Sequence, residues 1–185
     1  FPKLAETDWG WWRGPSHNGV ADSSARPPLH WGSQSNILWE ADIPGRGHSS
    51  PTVVGRRIYL TTADETKQTQ HVLCYDRDNG ELLWNQQLYQ GNFDHNNKKN
   101  SFASSSVSCD GKNLYTSFFR DKKILTVALT LVFAKLWAWQ ATGAISILSS
   151  STGIFFNWAI EEKPVPKSSI EREIPISRNV FRAFK

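Results

Sequence analysis

Between residues 50 and 88, short apolar runs containing β-branched and aromatic residues alternate with clusters of turn formers. Runs this short, bounded by turn signals, mark β-strands rather than helices. The runs fall at 52–54, 57–62, 71–75 and 82–88, separated by Gly55-Arg56, a polar stretch over 64–70, and Asp76-Arg77-Asp78-Asn79-Gly80-Glu81. In the last of these, Asn79-Gly80 supplies the positive φ that a tight hairpin requires. Four short antiparallel strands in series are predicted, forming one sheet.

The same string then returns. Ser49-Ser50-Pro51-Thr52-Val53-Val54-Gly55-Arg56-Arg57-Ile58-Tyr59 is followed, with one residue inserted, by Ser104-Ser105-Ser106-Val107-Ser108-Cys109-Asp110-Gly111-Lys112-Asn113-Leu114-Tyr115. Each copy closes on Leu-Trp, at Leu83-Trp84 and Leu136-Trp137, and Leu38-Trp39 is an earlier ending of the same kind. The tryptophans stand about 45 and about 53 residues apart, near the period of four-stranded propeller blades. An all-β fold follows: a partial β-propeller of four-stranded antiparallel blades, about two full ones and a degenerate third. The expected organisation is a Trp-rich entry segment with a first strand over 1–40, two blades over 41–140, a degenerate third start over 141–160, and an exposed, disordered tail over 161–185. A closed propeller needs at least four blades, or roughly 160 to 200 residues with nothing left over, so 185 residues with two clear copies describe part of a ring. The second copy also loses its closing turn, because Thr130-Leu131-Val132-Phe133-Ala134-Lys135 has no glycine, and a longer or strained connection is expected there.

The net charge of +4 changes this picture little. Residues 1–120 carry 12 Lys and Arg against 12 Asp and Glu, so the repeats present no basic stripe and no nucleic-acid partner is expected. Residues 136–160 are uncharged, but Gln140, Thr142, Ser146, the serines at 149–151 and Asn157 make them too polar for a membrane helix, and a degraded strand series is the better reading. Cys74 and Cys109 occupy comparable strand positions in successive copies, a placement that permits a disulfide without requiring one. The chain begins at Phe1 and holds no Met, as a processed or partial sequence would.

The closing string Cys74-Tyr75-Asp76-Arg77-Asp78-Asn79-Gly80-Glu81-Leu82-Leu83-Trp84 resembles the pyrroloquinoline-quinone-type (PQQ-type) propeller repeat, whose motif is similar to Ala-x-Asp-x-x-Thr-Gly-x-x-x-Trp. Asp76, Gly80 and Trp84 match, while Cys74 stands for the Ala and Asn79 for the Thr. Trp9, Trp12-Arg13-Gly14-Pro15 and Gly19-Val20 are similar to the start of bacterial members of this group. The resemblance implies that each closing Trp stacks on a glycine-containing peptide of the neighbouring blade. Trp39, Asp76, Gly80, Trp84 and Trp137 are accordingly expected to be structural. It also implies a location outside the cytoplasm, in the periplasm or secreted.

Quinone dehydrogenases of this family hold pyrroloquinoline quinone with adjacent cysteines and with a calcium bound by Glu, Asn and Asp, and no such set is found in this sequence. No cofactor is therefore expected, and quinone and calcium enter only under the alternative reading, an N-terminal part of a quinone-dependent alcohol or sugar dehydrogenase. The first reading is a non-catalytic repeat scaffold that binds a protein or small ligand. Its contact residues are expected in the loops entering the innermost strands: Arg46 and His48 before the first, and Asn92, Asp94 and His95 before the second. His71 and Cys74 are three apart on a strand and point to opposite faces, so they are not expected to share a zinc ion. The serine runs lack nucleophile-elbow glycines and read as blade starts. Self-association through uncovered blade edges is a further expectation.

Overall fold

The computed structural model describes residues 4–32, 35–91, 93, 99–131, 137–141 and 179–184, the last two segments as backbone strands. Among the described residues there is no helix, and the architecture is all-β. One sheet contains, in spatial order, β2 (Thr52–Val54), β3 (Arg57–Asp64), β4 (Thr69–Asp76) and β5 (Leu82–Gln90). A second has the same order: β6 (Ser108–Cys109), β7 (Asn113–Arg120), β8 (Lys123–Thr130) and β9 (Trp137–Ala141). The third pairs β1 (Ile37–Ile43) with β10 (Asn179–Phe184). Both large sheets are the predicted blades, with every connection an antiparallel hairpin.

Strand register repeats between copies. Cys74 faces Trp84 across β4 and β5, and Ala128 faces Trp137 across β8 and β9. In the two-stranded sheet, Ala183 faces Trp39. A small residue thus stands opposite the Leu-Trp ending in all three, which gives β10 and β1 the third and fourth positions of another blade. The tail expected over 161–185 is corrected at its end, since residues 179–184 form this strand. The degenerate start expected over 141–160 lies, beyond Ala141, outside the described residues. The second copy's closing connection, between Thr130 and Trp137, lies beyond Leu131 outside the described residues. The β7–β8 hairpin instead turns on Asp121 and Lys122, at φ 46° and 56°, the double positive φ of a type I′ turn.

Tyr59, Val72 and Cys74 from the first blade share one buried cluster with Val107, Leu114, Phe118, Val127 and Leu129 from the second. Ile58, Leu60, Leu73 and Tyr75 point the other way and pack beneath Trp39, Ala41 and Ile43 of β1. Alternation along β3 and β4 therefore serves two cores, which leaves the first blade buried on both faces. Cys74 and Cys109 both lie in the shared cluster as free thiols, and no disulfide joins them.

The joint between blades is also hydrogen-bonded. Thr61 Oγ1 donates to the carbonyl of Ser105 at 2.9 Å, Gln70 Nε2 to that of Phe102 at 2.7 Å, and the Ser50 amide donates to Ser106 Oγ at 2.8 Å. Thr52 Oγ1 bonds the Val107 carbonyl. The serine-rich starts of the copies are thus polar seams whose groups pair across the joint, as buried polar groups must.

Trp39 shows why Gly and Trp recur together. Gly80 has φ +75°, and a Cβ there would lie 2.7 Å from Cδ2 of the Trp39 ring. Trp39 Nε1 donates to the Arg77 carbonyl at 2.8 Å, fixing the indole on the turn. It is therefore the tryptophan of the preceding strand that occupies the Gly80 cradle, and not Trp84 of the same copy. Trp84 packs against Tyr59, ring centroids 5.9 Å apart, and its buried Nε1 finds no hydrogen-bond partner among the described residues.

Candidate functional site

The entry segment does more than precede the blades. Trp9 exchanges both backbone hydrogen bonds with Val53, at 2.7 and 2.9 Å, and the Gly10 carbonyl accepts from the Cys109 amide at 2.7 Å. One short stretch of chain therefore lies along the free inner edges of β2 and β6 together. Asp8, 5% exposed, holds it there: its carboxylate accepts from the amides of Gly55 and Ala5, at 2.8 and 2.9 Å. Gly14, at φ +69°, lies so close under the Trp9 indole that a Cβ would come within 2.7 Å of the ring. Trp11 stacks on His17 at 4.9 Å.

Trp12 is left facing solvent, 65% exposed, with the Arg13 guanidinium 5.5 Å from its ring centroid. Together with Trp9, Pro51 and Val53 it lines an open groove of about 480 Å³, to which Ser50 and Arg77 add polar groups. The Arg77 guanidinium reaches the Gly55 carbonyl at 3.5 Å, a contact too long to restrain it firmly. Two indoles, a proline and an exposed cation side by side form a surface for an apolar or aromatic group carrying negative charge. The tryptophans of the entry segment were legible in the sequence, but their meeting with Arg77 depends on the Trp9–Val53 bridge, which no local pattern announces.

The residues expected to make contacts stand elsewhere. Arg46 exchanges backbone hydrogen bonds with Ala63, and its guanidinium lies 3.6 Å from Glu65. The His48 amide donates to the Ala103 carbonyl at 3.0 Å. Cβ atoms on Gly45 and Gly47 would strike the carbonyls of Ala63 and Thr61, so the Gly-Arg-Gly string lies flat on β3 as a strap. Arg46 is near the β3–β4 turn, at the opposite end of the strands from Arg77 in the β4–β5 turn. Asn92, Asp94 and His95 lie outside the described residues. Beside them, Phe93 stacks on Phe102 at 4.2 Å.

The other titratable groups serve the frame. Burial pushes the Cys74 thiol up to about 12 and also raises Cys109, so both stay protonated and unreactive at neutral pH. Burial lowers His71, partly offset by its hydrogen bond to Asn85 Oδ1 at 2.7 Å, and its other ring nitrogen meets Thr69 Oγ1. Burial pushes Asp110 up, but bonds from Asn113, Lys112 and Tyr115 outweigh this and hold it below the usual range. Among the described residues, no three His, Cys, Asp or Glu are grouped to hold a metal ion. The described residues do not fit quinone and calcium either, because both thiols are inside the joint and Asp8 and Asp110 are consumed as turn caps.

Residues 9–131 match the family model described as outer membrane protein assembly factor BamB, a PQQ-type repeat family. The chain belongs to this family. Comparison with curated proteins and with solved structures gave no match. The PQQ-type match begins at Trp9, the residue bridged to Val53, and ends at Leu131, where the second closing turn departs from the motif. Members of the family are commonly extracytoplasmic. No helix among the described residues is long and apolar enough to cross a membrane.

Proposed function

We propose that this chain is a non-catalytic PQQ-type repeat scaffold that works outside the cytoplasm and binds an extended segment of another protein. The observation that carries the reading is the groove beside the entry segment, where exposed Trp12, Trp9 and Pro51 meet the cationic Arg77. Its chemistry suits a peptide that places an aromatic or aliphatic side chain next to a carboxylate. Asp8, Asp76 and Asp110 bond turn amides, and no carboxylate is among the residues that line the groove. The family description, an outer-membrane protein assembly factor, supports a role in handling protein segments.

Selection of a phage-displayed peptide library against the full chain tests this reading. Enriched peptides should pair an acidic with an apolar residue, and both Trp12→Ala and Arg77→Glu should weaken them by about tenfold or more, as loss of an aromatic or arginine anchor does. Failure to enrich any peptide, or binding that both variants leave intact, would overturn it.

A further inference from the structure

The groove belongs to neither blade alone. Trp9 and Trp12 enter it from the entry segment, and Pro51, Val53 and Arg77 from the first blade. The two indoles are carried together, because the turn through Gly14 folds the chain back under the Trp9 ring, with the Gly14 amide donating to the Trp11 carbonyl at 2.9 Å. Lifting the entry segment would therefore remove the whole aromatic wall of the groove.

That segment is fastened to both blades within three successive residues. Asp8 accepts from the Gly55 amide in the β2–β3 turn, and Trp9 pairs with Val53 on β2, both in the first blade. Gly10 then takes the Cys109 amide of β6, in the second. Leu4 adds an apolar hold, because it packs on the cluster that the two blades share. Gly10 leaves room for it, since a Cβ there would strike Leu4 Cδ1. Adjacent Cα atoms are about 3.8 Å apart, so a Trp9 that leaves β2 pulls Gly10 from β6. The segment thus has two states, docked on both blades or lifted from both.

We propose that the entry segment is a clamp that couples the groove to the joint between the blades, so that a ligand held by Trp9 and Trp12 also holds the second blade against the first. This rests on the reading of the groove as a binding site. A ligand that touches both indoles binds only the docked state, and whatever binds one of two states stabilises it. The coupling is reciprocal, so a tighter joint raises the affinity of the groove. Asp8 is the positioning residue. It lines no part of the groove, yet its buried carboxylate accepts from the Gly55 and Ala5 amides at once, and an amide side chain there would turn a donor toward one of them.

Amide hydrogen exchange of the full chain, followed residue by residue by NMR, tests the clamp. In the ligand-free chain, Asp8→Asn should speed exchange at the Cys109 amide, in the other blade, as well as at Val53, by about tenfold or more, since a charge-assisted bond is lost. Faster exchange at Val53 with Cys109 unchanged would reduce Asp8 to a turn cap and overturn the proposal. A second measurement uses the unaltered chain with N-acetyl-tryptophan, an indole beside a carboxylate, whose binding is read from the shift of the Trp12 indole N–H. At about ten times its own dissociation constant this probe should slow exchange at Cys109 by about tenfold. Binding without protection of Cys109 would overturn the coupling and leave the groove a binding site. A probe that fails to shift Trp12 would strike the reading of the groove itself, and the coupling with it. This second measurement needs no variant, so it decides the matter if Asp8→Asn fails to fold.

Discussion

The two blades were built from one repeat but live in different surroundings. In the first, β3 is buried from Ile58 to Asp64 and β4 from Thr69 to Tyr75, with no exposed face. In the second, β7 buries Leu114, Thr116 and Phe118 while Asn113, Tyr115, Ser117 and Phe119 stay outside the core. What differs is the neighbours: β1 lies over one face of the first blade and the second blade over the other, while among the described residues the second has the first blade alone. Alternating burial along β7 is thus the mark of a strand with one covered face, and continuous burial along β3 and β4 the mark of strands with two.

Gly80→Val should break this contrast most sharply, by unseating β1 from the first blade. It places a β-branched residue at φ +75° and drives a side chain into the Trp39 ring, a loss of about 4 kcal/mol in urea unfolding from strain and overpacking together. Leu73→Ala, in the core under β1, should cost about 3 kcal/mol, whereas Phe119→Ala on the open face, measured at a concentration where the chain is monomeric, should stay within about 0.5 kcal/mol. Equal losses at the two sites would end the distinction between covered and open faces.

The tryptophans sharpen the comparison further. Trp39→Phe removes a made hydrogen bond and Trp84→Phe removes an unpaired N–H, so the first should destabilise by about 1 kcal/mol more than the second, which chemical denaturation can resolve.

The smallest effect expected is at His71. Burial depresses its folded pKa below the unfolded value, so its contribution is fully present above about pH 6.5 and is lost as pH falls from there through the folded value. His71→Gln should flatten the acid limb of the stability curve across that window, and an unchanged limb would assign the acid sensitivity to another group.

Much of this frame was legible in the residues. Gly55, Asn79-Gly80 and Asp110-Gly111 punctuate the chain where the hairpins turn, because positive φ leaves few alternatives. The recurrence of Ser-Ser before each inner strand read as the start of a blade, and the structure adds that these serines bond across the joint. The strand over 179–184 was hidden, since Asn-Val-Phe-Arg-Ala-Phe carries no turn signal and gains its partner only from β1, far away in sequence. The groove was hidden for a similar reason: Trp12 and Arg77 belong to segments that only the bridge from Trp9 to Val53 brings together. Arg46 and His48, the expected contacts, sit on a strap that two glycines and a carbonyl ladder hold flat on β3, at the opposite end of the strands from the groove.

The pairing of β1 with β10 has a consequence for the order of events when the chain is made. β1 leaves the ribosome long before the strand that pairs with it, and so large a loop makes their meeting a late and slow contact. During that interval β1 would be an orphan strand, open to the wrong partner. The Trp39 indole supplies an earlier berth, because the turn carrying Gly80 is synthesised within about 45 residues of it, and a loop of that size closes far sooner. A ribosome stalled after β5 should therefore already carry β1 protected from protease, with Trp39 seated and only the final edge still to be zipped.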